Sequence, residues 1–126
     1  MIIFVFGNEY LENDSSAKMI AKELNDLHGV EFVDCKSVSE LFNSGEKKPI
    51  ILDVVENIDD VILIEDIDQI KDFRSISAHD MDLAFHLKMY KELGVIEKVK
   101  IIGVPQKFSE ENVKKVREMV EKIRPN

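Results

Sequence analysis

Short, almost wholly apolar runs alternate along this chain with stretches whose apolar residues recur every three or four positions. Ile2 to Phe6 is the first run, and Gly7-Asn8 breaks it. A run with successive apolar residues suits a strand buried on both faces, as in a parallel sheet. Ser15-Ser16 then offers a helix cap, and Ala17, Ile20, Ala21, Leu24 and Leu27 supply one apolar face, with His28-Gly29 as the stop. Val30 to Val33, closed by Asp34, predicts a second strand, and Ser37 to Phe42 a short helix. Ile50 to Val55 predicts a third strand and Val61 to Ile64 a fourth. Only five residues, Glu56 to Asp60, separate these two. A parallel crossover needs about a dozen, so the two are expected to pair as an antiparallel hairpin. After a polar connection from Asp66 to Ser77, His79 or Asp80 opens a helix with Leu83, Leu87, Tyr90 and Leu93 on one face, stopped by Gly94. Val99 to Gly103 predicts a fifth strand. Ser109, followed by Glu110 and Glu111, caps a last helix with the stripe Val113, Val116, Met119, Val120 and Ile123.

Strands alternating with helices indicate an α/β fold, a three-layer α-β-α domain around a mixed, mostly parallel five-stranded sheet. One strand, the fourth, is expected to run against the others. The 126 residues suit a single domain over residues 1–126.

Composition narrows the function classes. Lys and Arg number 17 against 25 Asp and Glu, a formal charge of −8. That disfavours a nucleic-acid binder, which needs a basic face, and an anionic membrane surface. The apolar runs of five to seven residues are far shorter than the about 20 of a membrane span. The N-terminus has no basic region or cleavage site of a signal peptide, so a cytoplasmic protein is expected. A single cysteine, Cys35, excludes a disulfide framework. A small buried thiol is its expected role, because nothing local depresses its pKa and Asp34 raises it.

Ligands of open α/β sheets gather beyond the carboxyl ends of the strands. Asn8 and Asp14 follow strand one, Asp34 ends strand two, Asp53 lies in strand three, and His79 stands where a loop meets a helix. Two carboxylates and an imidazole make a metal site of borderline hardness, fit for Zn, Ni, Mn or Fe. The plainer alternative has Asp14, Asp34 and Asp53 as caps of turns and helices. His79 and His86 are two helical turns apart, about 10.5 Å, too far to share one ion. His28 reads as a favourable charge at a helix end. There is no His-Glu-x-x-His, Gly-x-Ser-x-Gly, Walker loop or dinucleotide fingerprint.

Four segments in order carry a family resemblance. Gly7-Asn8-Glu-Tyr-Leu11-Glu-Asn-Asp14 resembles the Gly-Asn-x-Leu-Leu-x-Asp-Asp/Glu segment of the [NiFe]-hydrogenase maturation proteases. Ile51-Leu-Asp53-Val-Val is similar to that family's strand-three segment, hydrophobic-hydrophobic-Asp-Ala-Val/Ile. Ile76-Ser-Ala-His79-Asp-Met-Asp-Leu83 resembles its Ser-x-His-x-hydrophobic-x-Leu segment, and Ile101-Ile-Gly103-Val-Pro-Gln its Val-x-Gly-hydrophobic-x-Pro. Asn13-Asp14 stands where the family has an acid pair, and Ser15 and Ala17 where it has glycines. The glycine-and-threonine loop after strand two is replaced by Cys35-Lys-Ser-Val. The short chain and its Ser-x-His-Asp-x-Asp-Leu segment resemble an archaeal-type branch.

The resemblance implies a phosphorylase/hydrolase-like fold and an endopeptidase that removes the C-terminal extension of a [NiFe]-hydrogenase large-subunit precursor after nickel insertion. It places Asp14, Asp53 and His79 as catalytic residues and metal contacts. Gly7, Asn8 and Asp34 are supporting residues. The nickel arrives with the substrate. Asp66 is a rival to Asp53, since it also follows a strand, but Asp53 leaves strand four between itself and His79, as the family does. The alternatives are a non-catalytic homologue that binds or chaperones the large subunit, and a receiver-like signalling domain with Asp53 as phosphoacceptor. A receiver wants an acid pair after strand one, where this chain has Gly7-Asn8, and a helix between strands three and four.

Overall fold

The computed structural model describes residues 1–67 and 78–125; for residues 78–81 it describes the backbone but not the side chains. Five strands are present: β1 (Ile2–Val5), β2 (Glu31–Asp34), β3 (Ile50–Val54), β4 (Ile62–Ile64) and β5 (Lys100–Val104). Helices α1 (Ser16–Glu23), α2 (Ser39–Ser44), α3 (Ala78–Glu92) and α4 (Glu110–Ile123) connect or follow them. The strand order is β2-β1-β3-β5-β4. Four strands are parallel, and β4 runs antiparallel to β5. The expected mixed sheet with a reversed fourth strand is therefore present.

The expected hairpin between strands three and four is not. β5 lies between them, pairing with β3 on one side and β4 on the other. A five-residue gap is too short for a parallel crossover, yet it is long enough for an arch that passes over one intervening strand. Gly103 shows where it passes. A Cβ there would lie 2.8 Å from Val55 Cγ2 and 3.0 Å from Ile62 Cγ1, the side chains that flank the arch. A glycine in mid-strand commonly marks such a close approach.

Strand alternation sends side chains to two faces, and each carries its own core. Ile3, Val5, Leu52 and Ile102 pack with Ile20 of α1, with Leu24 just beyond its end, and with Val116 and Val120 of α4. Phe4, Ile51 and Ile101 pack with Leu41 of α2 and with Leu83, Leu87 and Tyr90 of α3. Each such leucine or isoleucine stabilises the fold by about 1.5–3 kcal/mol on burial. Three layers result, as expected. Ser109 caps α4 as predicted, accepting from Asn112 N at 3.1 Å.

Two local expectations are corrected. Ser15 makes no side-chain cap on α1; a 3-10 turn, Glu12–Asp14, leads into the helix instead. α1 ends at Glu23, about a turn early, because Asn25 and Asp26 favour turns over helix. Exposed His28 thus lies beyond the helix end and does not meet its dipole.

α3 ends at the amino edge of the sheet. There Lys47 Nζ donates to Gly94 O (2.9 Å) just before β3 begins. The first turn of α3 is therefore directed to the carboxyl edge. Among the described residues no helix is long and apolar enough to cross a membrane.

Candidate functional site

The residues singled out in sequence sort themselves by sheet edge. Asp14, Asp34 and Asp53 all lie at the carboxyl edge, after or within the parallel strands β1, β2 and β3. β4 runs the other way, so Asp66 falls at the opposite edge, level with the start of β5. His79 lies in the first turn of α3, which is directed to the carboxyl edge; its side chain is outside the described residues. Ile76 and Ser77 of the same segment are also outside them. Among the described residues, no three His, Cys, Asp or Glu side chains gather closely enough to hold a metal ion.

Asp14 is held by a closed loop. Gly7 adopts φ +116°, and a Cβ on it would lie 2.6 Å from Asp14 O. Only glycine accepts that backbone angle without strain. The chain then folds back on itself: Asn8 N donates to Asp14 O (2.9 Å) and Asp14 N to Leu11 O (2.9 Å). The Asn8 side chain closes an Asx turn by accepting from Tyr10 N at 2.9 Å. Gln106, after β5, donates to Asn13 O at 3.4 Å. Gly7 and Asn8 therefore shape the loop that holds Asp14 at the carboxyl edge. The loop tip leaves Tyr10 88% and Leu11 56% exposed, an apolar rim next to Asp14.

Asp53 is 1% exposed, on a central strand, directly across from Gly103 of β5. Its Oδ1 accepts from Val54 N at 2.8 Å. In β3, Leu52 and Val54 face the α1/α4 core, so Asp53 shares with Ile51 the face covered by α2 and α3. That is the helix layer which carries His79.

Asp34 has a different neighbour, which sequence reasoning missed. Lys18 of α1 is only 7% exposed. Its ammonium donates to Val5 O (2.9 Å) and Cys35 O (3.3 Å), and it forms an ion pair with Asp34. The lysine thus ties the ends of β1 and β2 together. Burial pushes its pKa below the ordinary lysine value, while carboxylates including Glu9 and Asp53 act in the opposite sense. The signal was present: Lys18 sits between Ala17 and Ala21 at the border of the apolar stripe of α1.

Cys35 is a buried thiol, as expected, with its pKa pushed up to about 12. Burial is the main cause, and the acid that adds to it is Glu40 rather than the expected Asp34. It is no nucleophile in this state. His86, two turns along α3 from His79, is occupied elsewhere: its Nδ1 meets Asp82 O at 2.8 Å and Asp82 Oδ1 at 3.5 Å.

Residues 36–125 match the family described as hydrogenase maturation protease (HycI). The match includes Asp53 and His79 and leaves out the Gly7–Asp14 loop. A comparison with curated proteins by sequence found none that match. Among solved structures, the chain is similar to the hydrogenase maturating endopeptidase HybD from E. coli. The TM-score is 0.67 at 19% identity, over 96% of this chain and 92% of that one. It is similar to the hydrogenase 3 maturation protease, with a TM-score of 0.64 at 16% identity, over 97% and 87% of the two chains. An endopeptidase from Escherichia coli gives 0.62 at 20% identity, over 98% and 90%. At these identities the likenesses concern the fold, and they extend it across the N-terminal loop.

Proposed function

The chain belongs to the hydrogenase maturation protease family, and from that premise we propose that it removes the C-terminal extension of a [NiFe]-hydrogenase large-subunit precursor after nickel has been inserted. Asp14, Asp53 and His79 are the residues that meet the nickel carried by that substrate. The observation that supports this most is Asp53: a carboxylate 1% exposed, at the carboxyl end of a central strand, on the edge that also holds the Asp14 loop.

The donor set suits the task. Two carboxylates and an imidazole bind an ion of borderline hardness and leave coordination positions to the substrate's own ligands. Recognition of the loaded precursor then follows from the substrate's metal completing a set of three protein donors. Hydrolysis adds one water across the scissile bond, its hydroxyl to the carbonyl carbon and its proton to the departing amine. The carboxylates at the edge are the groups placed to take and return that proton. Tyr10 and Leu11 offer apolar contact beside the cleavage point.

The test is cleavage of nickel-loaded and nickel-free precursor from the same organism, read by mass spectrometry. Loss of a C-terminal peptide from the loaded precursor alone is expected. His79→Ala processing at the wild-type rate overturns the assignment of the site. Stable binding without cleavage turns the reading to the non-catalytic homologue.

A further inference from the structure

The sheet has an open edge at β2, which is outermost beside β1. Glu31 N donates to Met1 O and Cys35 N to Val5 O, both at 2.8 Å. Parallel strands alternate the side to which successive residues bond. Phe32 and Asp34 therefore turn their N–H and C=O groups away from β1, toward the open edge. Alongside runs a groove of about 410 Å³ between β2 and α1, floored by Val5, Ala21 and Phe32. A second recess of about 350 Å³ continues it over Gly7, Asn8 and Tyr10 to Lys36. Glu9, Lys18 and Asp34 line both. The groove thus joins the open strand edge to the loop that ends at Asp14.

Charge sets the groove apart from the rest of the molecule. Three ammoniums, on Lys18, Lys22 and Lys36, stand against two carboxylates, on Glu9 and Asp34, in a chain of net charge −8. Lys18 pairs with Asp34, and Lys22 with Glu9 at 3.1 Å. Lys36 has no ion-pair partner among the described residues. The groove is complementary to an extended peptide that carries a carboxylate.

We infer that this groove seats the C-terminal extension of the precursor, which adds as a strand to the open edge of β2 and brings its carboxylate to the lysines. The inference rests on the protease reading above. Chemistry favours this occupant, because the extension ends in the precursor's own α-carboxylate and must leave the cleavage point in an extended form. Strand addition supplies main-chain hydrogen bonds, and the apolar floor accepts alternate side chains. The four residues of β2 span about 13 Å, room for a short extension.

Two variants test it on the full chain. Phe32→Pro removes an outward N–H while sparing the β1 ladder. Lys36→Glu reverses the unpaired charge and leaves the core intact. The readouts are KM and kcat on nickel-loaded precursor, and binding of a labelled synthetic peptide with the sequence of the extension. Each variant is expected to raise KM and weaken peptide binding by roughly tenfold with kcat little changed. Unchanged KM and peptide binding in folded Lys36→Glu and Phe32→Pro proteins overturn the groove and leave the protease reading intact. A wild type that binds the peptide at the groove without cutting the precursor keeps the groove and overturns the protease reading. A wild type that does neither overturns both.

Discussion

Asp34 closes β2 and Asp53 lies one residue before the end of β3, yet the first side chain is 62% exposed and the second residue 1%. The difference comes from strand position. β2 is an edge strand and its carboxylate looks out to water, where the Lys18 ammonium meets it. β3 is flanked by β1 and β5 and covered on both faces, so its carboxylate is withdrawn from solvent. Withdrawing a carboxylate from water costs far more than leaving one exposed. The same residue type, at the same edge, is thereby a structural tie in one place and a candidate reactive group in the other.

Asp53→Asn against Asp34→Asn puts the contrast to its widest test. The first is expected to lower precursor processing by about a thousandfold, the scale on which aligned electrostatic groups act. The second is expected to lower it roughly threefold, as befits an ion pair whose carboxylate faces water. Equal losses, measured as kcat/KM on loaded precursor, break the comparison.

Next in size is Gly7→Ala. The new Cβ meets a backbone oxygen at 2.6 Å and holds alanine at φ +116°. A loss of about 3 kcal/mol in unfolding free energy is expected from urea titration. A loss no greater than that of an exposed Gly45→Ala, where nothing lies within 4 Å, places the strain elsewhere than in the Asp14 loop.

Smallest is Lys18→Met, which removes the ammonium donor from Val5 O and Cys35 O and leaves Val5 O with Cys35 N alone. About 2 kcal/mol of destabilisation is expected. Its pH dependence sharpens the point. Burial depresses the Lys18 pKa in the folded state, so the unfolded chain holds this proton more tightly. Between the depressed value and that of an exposed lysine, the unfolded state binds more protons and this residue's contribution to stability rises with pH. The stability gap between wild type and Lys18→Met should widen across that alkaline window. A gap independent of pH shows that the ammonium is not held in the buried position at the strand ends.

Much of this arrangement is legible in the chain. The five apolar runs became the five strands within a residue or two, since apolarity on successive residues demands burial on both faces. The short gap after β3 excluded a crossover helix, and β4 is indeed reversed. Ser109 caps α4 because its side chain satisfies a helix N–H locally, with no need of distant parts of the fold. The closed Gly7–Asp14 loop is likewise local: its glycine and its Asx turn are written in adjacent residues.

Tertiary structure decided what depends on neighbours remote in sequence. Whether β4 pairs with β3 or with β5 rests on where Gly103 opens room for the arch, which no gap length reveals. Asp53 lies in one strand and Asp66 two residues beyond another, and only strand direction sends them to opposite edges. Lys18 reads as an ordinary surface lysine until the ends of β1 and β2 close over it with two carbonyls and a carboxylate. Periodicity and caps act within a few residues, so sequence alone determined the elements and the kind of fold. Strand order and the environment of each charged group arise from contacts between distant segments, and those exist only once the sheet has assembled.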